Sequence, residues 1–360
     1  VEARYGLAVA NESEQGKNAL LHEDCCADGG MNDIQCRVTP VIEPTENFER
    51  FIYSTWGKGI AEHFAIPYNR KLWKIPLTEM ETSWLGGRVP LPDLSQIITG
   101  ALAPLAKQLG PNARFGYPLV GGFQALMDGF LPLLTGQLHT EAEIVNIDPQ
   151  TRTVELTNGQ YYRYQQLIST LPLPELIRLI GSHAPALVLS AAQALRHVSV
   201  RCVNLGIDRA DISDKHWIYY PGDTVFHRIF LQGNASPHCN PEGGFGLTCE
   251  MTYCPEYPLP LEGEELIQRC IDDCIRVGLF SENDKILCAH QVGMPYAYVV
   301  YDHQRSKNVS LIRDWLQQQD ITLSGRYSEW EYYNSDHAFL AGKRAAEAVT
   351  SKLLSEKSSA

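Results

Sequence analysis

GRYSEWEYYNSDHAFLAGKRAAEAV, Gly325–Val349, reads as a turn, a short aromatic strand and then a helix. Asn334, Ser335 and Asp336 are candidate N-caps, because their side-chain oxygens can accept the free N–H groups of a first helical turn. Small residues follow at Ala341, Gly342, Ala345 and Ala346. They would let a ligand approach the helix N-terminus, where the dipole favours an anion or an electron-rich ring. The alternative is a capped terminal helix whose small residues serve close packing.

Upstream of this stretch, helical spacing covers 306–318, preceded by strand-like AYVVYDH, and Leu266–Val277 has an amphipathic pattern. SVRCVNLGID, HWIYYP, TVFHRIFLQ and FGLTCEMTY, roughly residues 198–253, predict an antiparallel sheet with one wall on a pocket. HTEAEIVNID, TRTVELTNG with its Asn158-Gly159 turn, and YYRYQQLIST predict a β-meander leading into a buried strand, Gln166–Thr170. Helix resumes over Leu171–Ile180, and Gly121-Gly122 opens an apolar helix, Phe123–Leu134. Nearer the N-terminus, Phe48, Phe51, Ile52, Ile60, Ala61 and Phe64 recur at helical spacing as far as Pro67, where the helix is expected to end. Thr78 and Glu81 suggest a capped short helix over Leu77–Leu85, and Asp93 or Ser95 starts another reaching about Leu109.

These elements suggest an α/β fold with a helical insertion and an antiparallel substrate sheet. The expected organisation is an irregular leader over 1–45 and a helical substrate or cap segment over 46–110. A segment with the β-meander follows over 111–180, then a mostly substrate-binding domain over 181–320, and the C-terminal motif over 321–360.

Composition excludes some classes. A net charge of -12 over 360 residues argues against a nucleic-acid binder, which needs a basic field. Two or three placed cations would still suffice for a phosphorylated small substrate. No run approaches the ~20 apolar residues of a membrane helix. The ten cysteines, at 25, 26, 36, 202, 239, 249, 254, 270, 274 and 288, form no C-x-x-C. Scattered reduced thiols suggest a cytoplasmic setting. His63, His216 and His290 show no metal spacing. Nothing in the sequence fixes an oligomeric state.

Several short segments, in order, resemble one group of flavoenzymes. Gly325, Arg326, Tyr327, Trp330 and Tyr332, then Asp336, His337, Phe339 and Gly342, match a G-R-[FY]-x-x-W-x-Y stretch followed by D-H-x-F-x-x-G. FAIPYNRKLW, Phe64–Trp73, matches F-x-x-P-Y-N-x-K-[VL]-W, and WLGGRVPLPDL, Trp84–Leu94, matches W-[ILM]-x-x-R-V. FGYPLVGGFQAL, Phe115–Leu126, resembles F-x-[YF]-P-x-x-G-G-x-x-x-[LI], and EIVNID with LISTLPL resembles the adenine-side and return strands of an FAD fold. Over about Asn47–Val349 the chain therefore resembles the superfamily of UDP-galactopyranose mutases and FAD-dependent amine oxidases, protoporphyrinogen oxidase-like enzymes included.

The resemblance implies an FAD-binding, Rossmann-like fold of the glutathione-reductase type. It assigns Gly121, Gly122, Ile144, Arg326, Asp336, His337 and Gly342 to the cofactor, and Trp73, Arg88, Arg228, Tyr298 and Tyr332 to the substrate. Arg88 and Arg228 would clamp a diphosphate, since a guanidinium fork matches phosphate oxygens; otherwise each is a surface ion pair. Tyr298 and Tyr332 would touch phosphate, or else are buried tyrosines satisfying their hydroxyls.

Two departures matter. No G-x-G-x-x-G occurs anywhere in the sequence, although that turn grips the FAD pyrophosphate in this class. We expect an N-terminally incomplete chain rather than one that has given up the grip. Ala235 stands where the mutases carry a tyrosine. The function implied first is rearrangement of a nucleotide sugar through a flavin–sugar adduct. The alternatives are an FAD oxidoreductase of the amine or protoporphyrinogen oxidase type, acting on an amine-like or apolar substrate, and an FAD-less relic or binding protein.

Overall fold

A computed structural model describes residues 47–85, 94–103 and 116–359. The chain divides into two compact units, one over 1–70 and 76–114, the other over 71–75 and 115–360.

The first unit begins with helix α1, Phe48–Ile60, whose N-cap Asn47 accepts the Arg50 N–H at 3.0 Å. Phe48 donates its N–H to Met80 and packs its ring edge-on against Trp84 at 5.2 Å. Pro67 does not end the helical run as its chemistry predicted. A π-helical turn, Ala61–Ala65, precedes it, with the Ile66 N–H reaching back to the Ala61 carbonyl, and helix α2 then covers Ile66–Trp73. A π-turn shifts the bonding by one residue, so the missing proline N–H is absorbed without a break. The short helix expected over Leu77–Leu85 is instead two 3-10 turns, Leu77–Glu79 and Ser83–Leu85. Helix α3 covers Leu94–Leu102, within the reach expected from Asp93 or Ser95.

In the second unit the apolar run after Gly122 is broken. Helix α4 spans only Gln124–Asp128, followed by a 3-10 turn, Leu131–Leu133, where Gly129 and Pro132 interrupt the α pattern. The meander is present as β1 Ile144–Asp148, β2 Thr153–Leu156 and β3 Tyr161–Arg163, turning at Gly159 with φ +78°. Strand β4, Leu167–Ser169, is not the buried strand expected, for Ile168 is 39% exposed. Helices α5, Leu173–Ile180, and α6, Ala186–Gln193, follow.

The main sheet comprises β5 His197–Ile207, β6 Trp217–Tyr219, β7 Arg228–Phe230, β8 Phe245–Tyr253 and β9 Ile286–Val299, in spatial order β6-β7-β8-β5-β9, all antiparallel. One turn of helix, α7 Gln232–Ala235, lies between β7 and β8. Sequence reading saw only the AYVVYDH end of β9, because Gly293 and Pro295 interrupt the alternation upstream. Both are tolerated because β9 is an edge strand. Helix α8, Gly263–Arg276, presents Leu266, Ile267, Cys270 and Cys274 to Val203, Leu205, Ile229, Leu247 and Cys249. Each large aliphatic side chain buried there contributes roughly 1.5–3 kcal/mol. Helix α9, Arg305–Gln318, leads to β10, Ile321–Leu323, which pairs in parallel with β4. The chain closes with α10, Ser335–Ser359; Asp320 accepts from both Lys352 on this helix and Arg152 in the meander.

Candidate functional site: an aromatic wall with two arginines

The face of the main sheet opposite α8 is polar and aromatic. Strand alternation puts Arg228 on β7 directly across from Glu250 on β8, and Glu250 across from Cys202 on β5. The Arg228 Nε donates to Glu250 at 2.8 Å, and one terminal N–H group donates to the Tyr298 hydroxyl at 2.7 Å. The guanidinium also lies 4.6 Å from the centre of the Trp217 ring. Trp217 stacks on Phe230 at 4.3 Å, and Phe230 lies 5.9 Å from Tyr117, which follows the Phe115–Leu126 motif's first residues. Burial, with the Glu250 charge beside it, pushes the Cys202 thiol up to about 12, so it is no nucleophile at neutral pH.

At the other end of this wall, Trp73 is 1% exposed and packs edge-on to Tyr298 at 5.9 Å, with Tyr332 at 6.3 Å. Tyr298 and Tyr332 stack at 5.8 Å. Burial raises the Tyr298 pKa far above its ordinary value, so the hydroxyl stays protonated and can donate. Arg326 lies over the Tyr332 and Tyr298 rings at 4.6 and 5.4 Å and donates to the carbonyls of Tyr333 and Ala297 at 2.6 and 3.0 Å. Its buried Nε has no hydrogen-bond partner, and among the described residues no carboxylate lies within ion-pair distance of it.

Five of the residues singled out from sequence, Trp73, Arg228, Tyr298, Tyr332 and Arg326, thus meet on one wall. The surface ion-pair alternative for Arg228 takes an intermediate form: it is paired, but its side chain is only 20% exposed. Arg88 lies outside the described residues. Ile144 stands on the meander sheet, opposite Leu156. Gly121 and Gly122 both have positive φ, +81° and +63°, conformations that disfavour any side chain. The turn they make leads into α4, beyond which Phe130 meets Phe339 of α10 at 5.8 Å. Asp336 is a first-turn residue of α10 and not its cap, since Asn334 immediately precedes the helix and accepts the Ala338 N–H. The backbone N–H of His337, chiefly, holds the Asp336 carboxyl below its usual range, and the His337 ring lies 3.0 Å from it. Gly342 has open space where a Cβ would stand.

Sequence reading missed Glu250, Trp217 and Phe230, whose signal is strand register, which a single sequence does not display. Tyr117 lies within the Phe115–Leu126 motif, but sequence reading gave it no role.

The residues fit a flavin in part. The uncompensated Arg326 with its orphaned Nε suits an anionic group, and the open space beside Gly342 on α10 leaves room for a ring. The sequence offers no G-x-G-x-x-G for the pyrophosphate. Among the described residues no His/Cys/Asp/Glu cluster suits a metal ion, and no helix is long and apolar enough to cross a membrane.

Comparison with known proteins bears on family and fold. The family model for flavin containing amine oxidoreductase, whose cofactor is FAD, matches residues 82–350. A solved structure of reduced UDP-galactopyranose mutase is similar at 28% identity and TM-score 0.77, covering 87% of this chain and 68% of that one. A candidate protoporphyrinogen oxidase from Exiguobacterium sp. 255-15 (12% identity, TM-score 0.57, 81% and 65% covered) shares the fold. So does an oxidoreductase from Methanosarcina mazei (13%, 0.56, 85% and 69%). The chain belongs to the flavin containing amine oxidoreductase family.

Proposed function

We propose that the aromatic wall binds a nucleotide sugar and that the enzyme rearranges it, as a mutase does. The observation that carries this reading is the charge on the wall: two guanidiniums, Arg228 and Arg326, lie against Tyr298, and one carboxylate, Glu250, pairs with Arg228. A site with that surplus suits an anion more than a cationic amine. The likeness to UDP-galactopyranose mutase supports the same substrate class.

In this reading Arg228 and the Tyr298 hydroxyl hold the diphosphate, which shares Arg228 with Glu250. Arg88, to which the resemblance gives the same role, lies outside the described residues. Trp73 and Tyr332 close the apolar side of the pocket and exclude water. Arg326, Gly121, Gly122, Ile144, Asp336, His337 and Gly342 are the cofactor-side residues. When bound, FAD supplies the electron-rich ring on which the rearrangement depends.

The second reading is an FAD oxidoreductase, which the family description favours. FAD-loaded protein reduced with dithionite and given UDP-galactopyranose separates the two. The mutase reading expects an isomerised nucleotide sugar with no further consumption of reductant. Peroxide released from an amine, with no isomerisation, would establish the oxidase. A colourless protein that takes up no FAD would point to a binding protein.

A further inference from the structure

The motif FAIPYNRKLW contains a lysine that the site described above leaves unused. Lys71, in the last turn of α2, sends its ammonium into the loop joining β6 to β7. There Nζ lies 3.0 Å from the Tyr220 carbonyl oxygen, 2.8 Å from those of Gly222 and Thr224, and 2.7 Å from that of Phe226. The Thr224 hydroxyl adds a fifth oxygen at 3.1 Å.

The spacing of these four carbonyls is the informative point. Alternate residues of an extended chain turn their carbonyls to one side. Four of them converge on one point only if the chain curls round something. With nothing positive there, four partial negative ends would face one another in a half-buried place, although the Phe226 carbonyl also accepts the Thr224 hydroxyl at 2.7 Å. An ammonium has three N–H bonds for five oxygens, so much of its hold is electrostatic, as for a bare ion in a ring of carbonyls.

We propose that Lys71 is a tethered monovalent cation, a positioning residue that shapes the loop Tyr220–Phe226 and through it sets Trp217 and Arg228 on the wall.

The loop's neighbours fit this role. Its two ends run directly into Trp217–Tyr219 and Arg228–Phe230, the strands that carry those side chains. Its opposite polarity is met from α8: Asp273 accepts the Val225 N–H at 2.6 Å, and Arg276 donates to Asp223 at 2.8 Å. The Lys71 backbone carbonyl accepts from the Thr252 hydroxyl at 2.5 Å, and Trp73 stands two residues on. One residue therefore ties Trp73, Trp217 and Arg228 to a common frame. Burial, with the Lys74 charge acting the same way and Asp273 and Asp223 opposing, brings Lys71 down to about 8, and the ammonium form still prevails at neutral pH.

The proposal does not rest on the substrate assignment, and its test needs no turnover. In the full chain, Lys71→Ala leaves the carbonyl crown open to a free cation of ammonium size. Amide exchange over Trp217–Phe230 should quicken by about tenfold in NaCl and return to near the wild-type rate in KCl or NH4Cl of equal ionic strength, with the melting temperature following. Lys71→Met, whose stem fills the space, should lose the same protection and regain none in any salt. If Lys71→Ala folds only when refolded with K⁺ or NH4⁺, the proposal is supported in stronger form. Equal behaviour of Lys71→Ala in all three salts, or wild-type exchange in NaCl, would overturn it, as would failure to refold in every salt.

Discussion

Two apolar regions of the second unit have opposite fates. In the main sheet, Val203, Leu205, Ile229 and Leu247 are at most 2% exposed beneath α8. Between Leu119 and Leu138 the sequence is as apolar, yet Leu119, Leu133 and Leu138 are 66%, 73% and 64% exposed, and Phe339 of α10 is 58% exposed beside them. The difference lies in the partner. Strands β5, β7 and β8 have α8, an amphipathic helix of the same chain, to close over them. The cover for 119–138 is not among the described residues. An exposed apolar face of this extent marks a surface that something occupies, and it adjoins the residues assigned to the cofactor. The chain thus closes its main sheet with its own helix, whereas 119–138 has no such cover among the described residues.

The sharpest way to break this contrast is to disturb the wall. Arg228→Ala strands the Glu250 carboxylate, 10% exposed, without its counter-charge. We expect a loss of about 3 kcal/mol in urea unfolding, in the range for breaking a buried pair. Arg228→Met with Glu250→Leu should recover most of it, because no charge is then left unpaired. A loss below about 1 kcal/mol for Arg228→Ala would mean that the pair is effectively solvated.

A smaller effect is expected at Asp273, which is 2% exposed. Burial pushes its pKa up, but the Val225 N–H with Arg276 and Arg269 outweighs this and holds the carboxyl below its usual range. The stabilisation is therefore complete above the unfolded value, near 3.9, and is lost as pH falls through the folded one. Asp273→Asn should cost about 1.5–3 kcal/mol at pH 7, with the gap to wild type closing as pH drops below about 4. A gap independent of pH would show that the charge is immaterial. The smallest effect belongs to the open face: Leu133→Ser should change stability by no more than about 0.5 kcal/mol without cofactor. A larger loss would mean that this face is covered within the chain.

Elements with strong local signals were legible in the sequence. The meander was read from Asn158-Gly159 and alternation, and α8 from its apolar stripe. The wall was legible only where motif residues happened to lie on it: Trp73, Arg228, Tyr298, Tyr332 and Arg326. Glu250 and Trp217 escaped because their roles come from cross-strand pairing, Arg228↔Glu250 and Trp217↔Phe230, which is set by register and not by neighbours in sequence. Pro67 misled for a related reason, since the π-turn that accommodates it is a property of backbone bonding. Lys71 carried no readable role, because the oxygens it binds belong to backbone 149 and more residues away.

The central claim, that the wall receives a nucleotide diphosphate, is tested most directly by calorimetric titration of UDP into FAD-supplemented protein and into Arg228→Lys. Lysine keeps the charge and loses the fork. The account predicts saturable binding by the wild type that weakens as salt rises, and about tenfold weaker binding by Arg228→Lys, the equivalent of ~1.4 kcal/mol. No UDP binding by the wild type, or equal binding by the two proteins, would contradict it.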